Sequence, residues 1–153
     1  MPLLVDDDLG LALAAGAGGV HLGQDDLPVA AARAAAPRPF VVGATATTAA
    51  QAREAEADGA DYVGFGPVFP TRSKAAPAPV KGLDGLAAVC REVKIPVVAI
   101  AGITPERVAA VLDAGAHGVA VMTAVTTADD PRAAAAAFRE AIERWGARAE
   151  RGG

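Results

Sequence analysis

Cysteine, aromatic residues and runs of like charge are all scarce in this chain, and each shortage removes a class of protein. Cys90 is the one cysteine among 153 residues, so no internal disulfide can close and no thiolate cluster can hold a metal. It lies in Leu86-Ala87-Ala88-Val89-Cys90, a helical apolar pattern in which it reads as a small buried hydrophobe. Aromatics make up 4% of the chain against 52% apolar residues, so the core must be built mostly from Ala, Val, Leu and Ile. The 14 basic and 18 acidic residues are well mixed, for a net charge of −4. That balance leaves no nucleic-acid footprint, charged tail or membrane patch. No basic segment followed by an apolar one opens the chain, and no apolar stretch is long enough to span a bilayer. A soluble, cytoplasmic protein is expected. Neither a Walker A run nor a Rossmann G-x-G-x-x-G is present, and the length suits one domain with a single core.

What the chain does have is a weak internal repeat. Ala15-Gly16-Ala17-Gly18-Gly19-Val20, Asp58-Gly59-Ala60-Asp61-Tyr62-Val63 and Ala114-Gly115-Ala116-His117-Gly118-Val119 share one pattern. Each follows an Ala-rich amphipathic stretch and precedes a short apolar run. That is the signature of a helix stopped by Gly, a tight turn and a buried strand. A fourth junction, Val93-Lys94-Ile95-Pro96, stops its helix with Pro. The pattern predicts strands near residues 3–5, 19–22, 40–43, 62–65, 97–100 and 118–121. It predicts helices over residues 9–15, 29–36, 48–58, 83–93, 105–114 and 131–148. Thr47 or Thr48, Thr104 before Pro105 and Asp130 before Pro131 mark helix starts. Phe138, Ile142 and Trp145 share a face of the last helix and are expected in the core. Residues 1–147 are expected to form the domain and 148–153 a disordered tail.

Strict alternation of strand and helix implies a parallel sheet, either doubly wound or part of a (β/α)8 barrel. Asp7, Gln24, Thr45, residues 66–74, Gly102 and Thr123 are each read as falling just after a strand. In a barrel these positions converge on the C-terminal face, whereas an open sheet spreads them along an edge. The predicted class is therefore α/β, a (β/α)8 TIM-barrel type that is incomplete, with about six of the eight units present.

Three clusters could carry chemistry. Asp6-Asp7-Asp8 and Gly23-Gln24-Asp25-Asp26 follow successive strands, so their carboxylates share one end of the sheet. Carboxylates that converge repel unless protonated or bridged by a cation, and Mg²⁺ takes one or two of them together with substrate phosphate oxygens. Taken singly, Asp8 equally suits a helix cap, and Asp25 or Asp26 a lead into Pro28. The second cluster is the long loop from Gly64-Phe65-Gly66-Pro67-Val68-Phe69-Pro70 into Thr71-Arg72-Ser73-Lys74. Its hydroxyls and cations suit an anion; a solvated Pro/Ala-rich loop is the plainer alternative. The third is Ala101-Gly102-Ile103-Thr104-Pro105 with Val121-Met122-Thr123-Ala124 one unit later. Glycine at a strand end lets backbone N–H groups approach a phosphate, which barrels often bind after their last two strands, though ordinary turn chemistry explains either piece alone. Of the two histidines, His21 reads as a core or near-site residue and His117 as part of the stability face, and neither is assigned a role.

These pieces occur in an order that resembles the thiamine-phosphate synthase family. The resemblance is carried by Val5-Asp6-Asp7, by Gly19-Val20-His21-Leu22-Gly23-Gln24-Asp25-Asp26-Leu27-Pro28, by Gly59 through Thr71, and by Ala99-Ile100-Ala101-Gly102-Ile103. It implies a transferase of thiamine biosynthesis that joins an aminopyrimidine methyl diphosphate to a hydroxyethylthiazole phosphate and releases pyrophosphate. It also implies Mg²⁺ held by Asp7 and Asp26, and Lys74 and Thr45 as catalytic residues. Lys74 would clamp the leaving diphosphate, and Thr45 would lie beside the pyrimidine. Thr71, Arg72, Ser73, Gly102, Met122 and Thr123 match positions that contact the thiazole phosphate. Thr47 stands where the family often has His, and Asp6 where it usually has an Asn on the diphosphate. Members begin with two further βα units bearing a basic diphosphate motif. Without them a six-stranded remainder has two open strand edges, for which a start assigned too late, self-association through those edges and a decayed copy are the alternative explanations. A thiazole tautomerase on the same scaffold, and a phosphate-binding remnant that pairs with another chain, are the alternatives.

Overall fold

Short parallel strands with helices between them make up this computed structural model, which describes residues 2–71 and 79–152. The order is β1 (Leu4–Asp6), α1 (Leu9–Ala14), β2 (Gly19–Leu22), α2 (Val29–Ala35), β3 (Val41–Ala46), α3 (Ala49–Ala57) and β4 (Tyr62–Phe65). Then come α4 (Gly82–Glu92), β5 (Val97–Ile100), a 3₁₀ turn (Pro105–Arg107), α5 (Val108–Asp113), β6 (Gly118–Ala120), α6 (Thr123–Thr126) and α7 (Pro131–Gly152). The six strands pair in sequence order, β1-β2-β3-β4-β5-β6, all parallel. A doubly wound sheet reverses its strand order at a switch point, and a barrel wall never does. The sheet is therefore a run of barrel wall, six strands of a TIM-barrel-like half-barrel, with β1 and β6 as its open edges.

The repeat seen in the sequence is the αβ turn. Gly16, Gly59 and Gly115 adopt φ of 63°, 95° and 101°, the left-handed region that glycine enters without a Cβ penalty. One residue on, Ala17, Ala60 and Ala116 donate their N–H back to Ala12, Ala55 and Val111, closing the last helical turn. The chain is then pinned to its neighbour, with Asp61 N–H donating to the Val42 carbonyl at 2.7 Å and His117 N–H to Val97 at 2.8 Å. Helix starts are set by Asp8, whose carboxylate accepts from Leu11 N–H, by Thr48 on Gln51 N–H, and by Asp130 on Ala133 N–H. Thr104, expected as a cap, makes no side-chain cap bond, and its helix opens as the 3₁₀ turn.

Alternation assigns the strand faces. Val20, Leu22, Val42, Ala44, Val63, Phe65, Val97 and Ala99 are buried against the helices. Ala12, Ala32 and Ala52, all fully buried, let those helices approach closely. In α7 the buried residues are Phe138 and Ala141, with Trp145 half-buried and donating to Asp113 at 2.8 Å. Ile142 is 41% exposed and lies outside the core, contrary to expectation. The helix runs to Gly152, past the predicted end at 148. At the N-terminal rim, Arg33 donates to the carbonyls of Gly59, Ala36 and Phe40 and pairs with Asp61. Asp61 also accepts from Val42 N–H and Arg38.

Candidate active site

All six strands end at one rim. β1 ends in Asp6, and the chain turns at Asp7 with φ 66°, a left-handed conformation that Asp tolerates better than most side chains. Asp7 N–H donates to the His21 carbonyl and Asp8 N–H to the Asp6 carbonyl, each at 2.8 Å. After β2, Asp26 folds back so that its Oδ2 accepts from Gly23 N–H at 2.6 Å. The two loops bring the Asp7 and Asp26 carboxyls within hydrogen-bonding reach of each other. The Asp7 carboxyl is held above its ordinary 3.8, first by the charge on Asp6, then by partial desolvation, then by the charge and hydrogen bond of Asp26. Among the described residues no group of three or more His, Cys, Asp or Glu side chains is placed to hold a metal. The acidic pair nevertheless fits a hard cation that takes two protein oxygens and leaves the rest to water and phosphate.

Thr45 lies inside β3, which runs on to Ala46, and not after the strand as the sequence predicts. Its register with Gly64 of β4 holds it in the ladder. Gln24, on the loop after β2, donates its amide to the Thr45 carbonyl at 2.6 Å. The Thr45 hydroxyl is hydrogen-bonded to His21 Nε2 at 2.9 Å, and His21 Nδ1 to the Tyr62 hydroxyl at 2.9 Å. His21, Gly43 and Tyr62 sit side by side in the register. A Cβ on Gly43 would lie 2.2 Å from Tyr62 Cζ, so the missing side chain is what lets the phenol cross β3 to His21. Burial lowers the imidazole pKa against the opposing pull of Asp6, Asp7 and Asp26, and burial, then Asp6, raises the phenol. Neither His21 nor Tyr62 was assigned a role from the sequence. The signal that could have found them is a polar ring on one strand in register with a glycine on the next.

On the other side of the rim, Val68 and Phe69 dock on β5 through N–H bonds to Ile100 (3.0 Å) and Ala101 (3.2 Å). Ala101 and Gly102 both take left-handed φ, 70° and 68°. A side chain on Gly102 would meet the Pro70 carbonyl at 2.6 Å. Arg107 donates to the Gly102 carbonyl at 2.6 Å with its guanidinium 4.5 Å from the Phe69 ring centroid, tying the two loops together. Met122 is exposed just after β6, and Thr123, past the strand end as expected, begins α6. Thr71 ends the first described part of the long loop, and Arg72, Ser73 and Lys74 lie outside the described residues. Thr47 is engaged locally, donating from its hydroxyl and N–H to Gln51 Oε1.

Residues 1–125 match the TMP-TENI family, thiamine monophosphate synthase. The chain belongs to this family. It is 58% identical over 142 residues to thiamine-phosphate synthase of Salinibacter ruber, covering 93% of this chain and 63% of that protein. To the thiamine-phosphate synthase of Anaeromyxobacter dehalogenans it is 54% identical over 141 residues, 92% of this chain and 64% of that one. The solved thiamine phosphate pyrophosphorylase from Pyrococcus furiosus superposes with a TM-score of 0.84 at 43% identity, covering 93% of this chain and 67% of that one. The chain thus spans a little under two thirds of the length of these curated relatives. No helix among the described residues is long and apolar enough to cross a membrane.

Proposed function

We propose that this family member supplies most of a thiamine-phosphate synthase active site. It would couple an aminopyrimidine methyl diphosphate to a hydroxyethylthiazole phosphate in the cytoplasm. The observation that carries the reading is the meeting of Asp7 and Asp26 at one rim, beside Thr45. In the reaction, the bond between the pyrimidine methylene and the diphosphate oxygen breaks, with its electron pair leaving on pyrophosphate. The thiazole nitrogen lone pair then forms the new carbon–nitrogen bond, so no protein base is demanded. Asp7 and Asp26 hold Mg²⁺, which when bound neutralises charge on the leaving group. Thr45 orients the pyrimidine, and Lys74 clamps the diphosphate. Gly102, Thr71, Arg72, Ser73, Met122 and Thr123 receive the thiazole phosphate. Asp6, in place of a neutral amide, opposes the diphosphate and leaves the cation to offset it. An isomerase such as a thiazole tautomerase has no use for an acidic pair suited to a diphosphate-bound cation.

A second reading concerns completeness. Leu3, Leu11 and Leu13 are exposed beside the open β1 edge, and Met122 and Ile142 beside β6. Exposed apolar side chains flanking unpaired strands favour association, with a second copy or with further βα units. The test is pyrophosphate release by this chain with Mg²⁺ and both substrates, each omitted in turn, across a range of protein concentration. Release that needs both substrates and the metal supports the transferase. Release that rises faster than linearly with concentration supports association, and release without the thiazole phosphate would overturn the coupling.

A further inference from the structure

The His21–Tyr62 pair lies next to the acidic rim, with the His21 carbonyl accepting from Asp7 N–H and its ring bonded to Thr45. The inference rests on the reading of Thr45 as the residue beside the pyrimidine. The His21 ring carries two bonds of equal length, to a phenol and to an aliphatic alcohol. A phenol is the stronger donor, so an imidazole with one acceptor nitrogen turns it toward Tyr62. Nδ1 then accepts from the Tyr62 O–H, and Nε2–H donates to Thr45 Oγ1. A doubly protonated ring donates to Thr45 in the same way. In either state Thr45 accepts from the imidazole, which leaves its own hydrogen to donate to a ligand. The carbonyl of the same residue accepts from Gln24, which holds the backbone of β3 in place beneath the hydroxyl.

We infer that Tyr62 and His21 are positioning residues that fix the Thr45 hydroxyl as a hydrogen-bond donor, making this site selective for a heterocycle that presents an unprotonated ring nitrogen. The ring geometry is held independently of the hydrogen bonds. Tyr62 fills the space over Gly43, and His21 lies against Gly64, where a Cβ would come 3.1 Å from its Cε1. The two rings stack with centroids 5.4 Å apart. Removing the phenol oxygen alone frees the imidazole to carry its proton on Nδ1. Nε2 then accepts from Thr45, and the hydroxyl hydrogen is withdrawn from the ligand.

The test compares the aminopyrimidine methyl diphosphate with two analogues, each having one ring nitrogen replaced by CH, by calorimetric binding to the full chain with Mg²⁺. The unmodified chain should bind one analogue about tenfold more weakly, the scale of one lost hydrogen bond. Tyr62→Phe should reduce that preference to less than about threefold while leaving the affinity for inorganic pyrophosphate with Mg²⁺ unchanged. Adding His21→Gln, whose amide can donate to Thr45 without a phenol, should restore it. Ring ¹⁵N shifts of His21 in the unmodified chain should report a protonated Nε2. A proton on Nδ1 alone, full discrimination retained by Tyr62→Phe, or no discrimination by the unmodified chain would each overturn the inference. Failure of the unmodified chain to bind the pyrimidine diphosphate at all would instead remove the proposed function beneath it.

Discussion

Replacing Arg33 with Met tests how the barrel wall is locked at its N-terminal rim. The guanidinium donates to three backbone carbonyls, those of Gly59, Ala36 and Phe40, at 3.1, 3.1 and 2.8 Å, and it pairs with Asp61. Met keeps much of the apolar stem and removes every donor. The side chains of Arg33 and Asp61 are 14% and 25% exposed, so solvent recovers part of the loss. Three lost bonds and a lost, partly solvent-screened ion pair then amount to about 3 kcal/mol. For a domain of this size that lowers Tm by about 6–12 °C, measured by circular dichroism at neutral pH. The pH dependence follows from Asp61. Burial pushes its carboxyl up, but the Val42 N–H, Arg33 and Arg38 outweigh this and hold it below its ordinary 3.8. A depressed carboxyl stabilises the fold above the unfolded value and loses that contribution as pH falls through the folded one. The gap between Arg33→Met and the unmodified chain should therefore narrow below pH 3.8 and not close, because the carbonyl bonds persist. A gap that widens on acidification, or a Tm change under about 2 °C, would refute the reasoning.

Other expected outcomes are local. Ala101→Gly relieves a left-handed φ of 70° and should raise stability by about 1 kcal/mol in a urea titration. Gly43→Ala forces the Tyr62 phenol aside and should cost about 2 kcal/mol, with most of that recovered when Tyr62 is also changed to Ala, read from a double-mutant cycle. Asp6→Asn removes the largest influence on Asp7, so the Asp7 titration followed by NMR should move down. Asp26→Ala should cut magnesium-dependent pyrophosphate release, read with both substrates present, by orders of magnitude.

Most of the wall was legible because Gly-stopped helices and short apolar runs repeat along the chain. The end of β3 was not. Ala44-Thr45-Ala46 carries little strand preference, and pairing with Gly64 and Phe65 holds it extended. The four-residue α6 and the 3₁₀ turn are too short to leave a period. Ile142 was misplaced because Phe138, Ala141 and Trp145 form the stripe that α7 turns inward. The acidic pair could be read from two loops following adjacent strands, but the left-handed φ of Asp7 leaves no mark in composition. His21 and Tyr62 escaped because an apolar strand buried on both faces does not reveal which side a polar ring takes.

Manganese substituted for magnesium is paramagnetic and reports directly on what the rim holds. With inorganic pyrophosphate present, Mn²⁺ should broaden amide resonances from residues 6–8 and 23–26 first and leave the Arg33–Asp61 rim sharp. Uniform broadening, or none at Asp7 and Asp26 while other residues respond, would contradict a cation gripped by that pair.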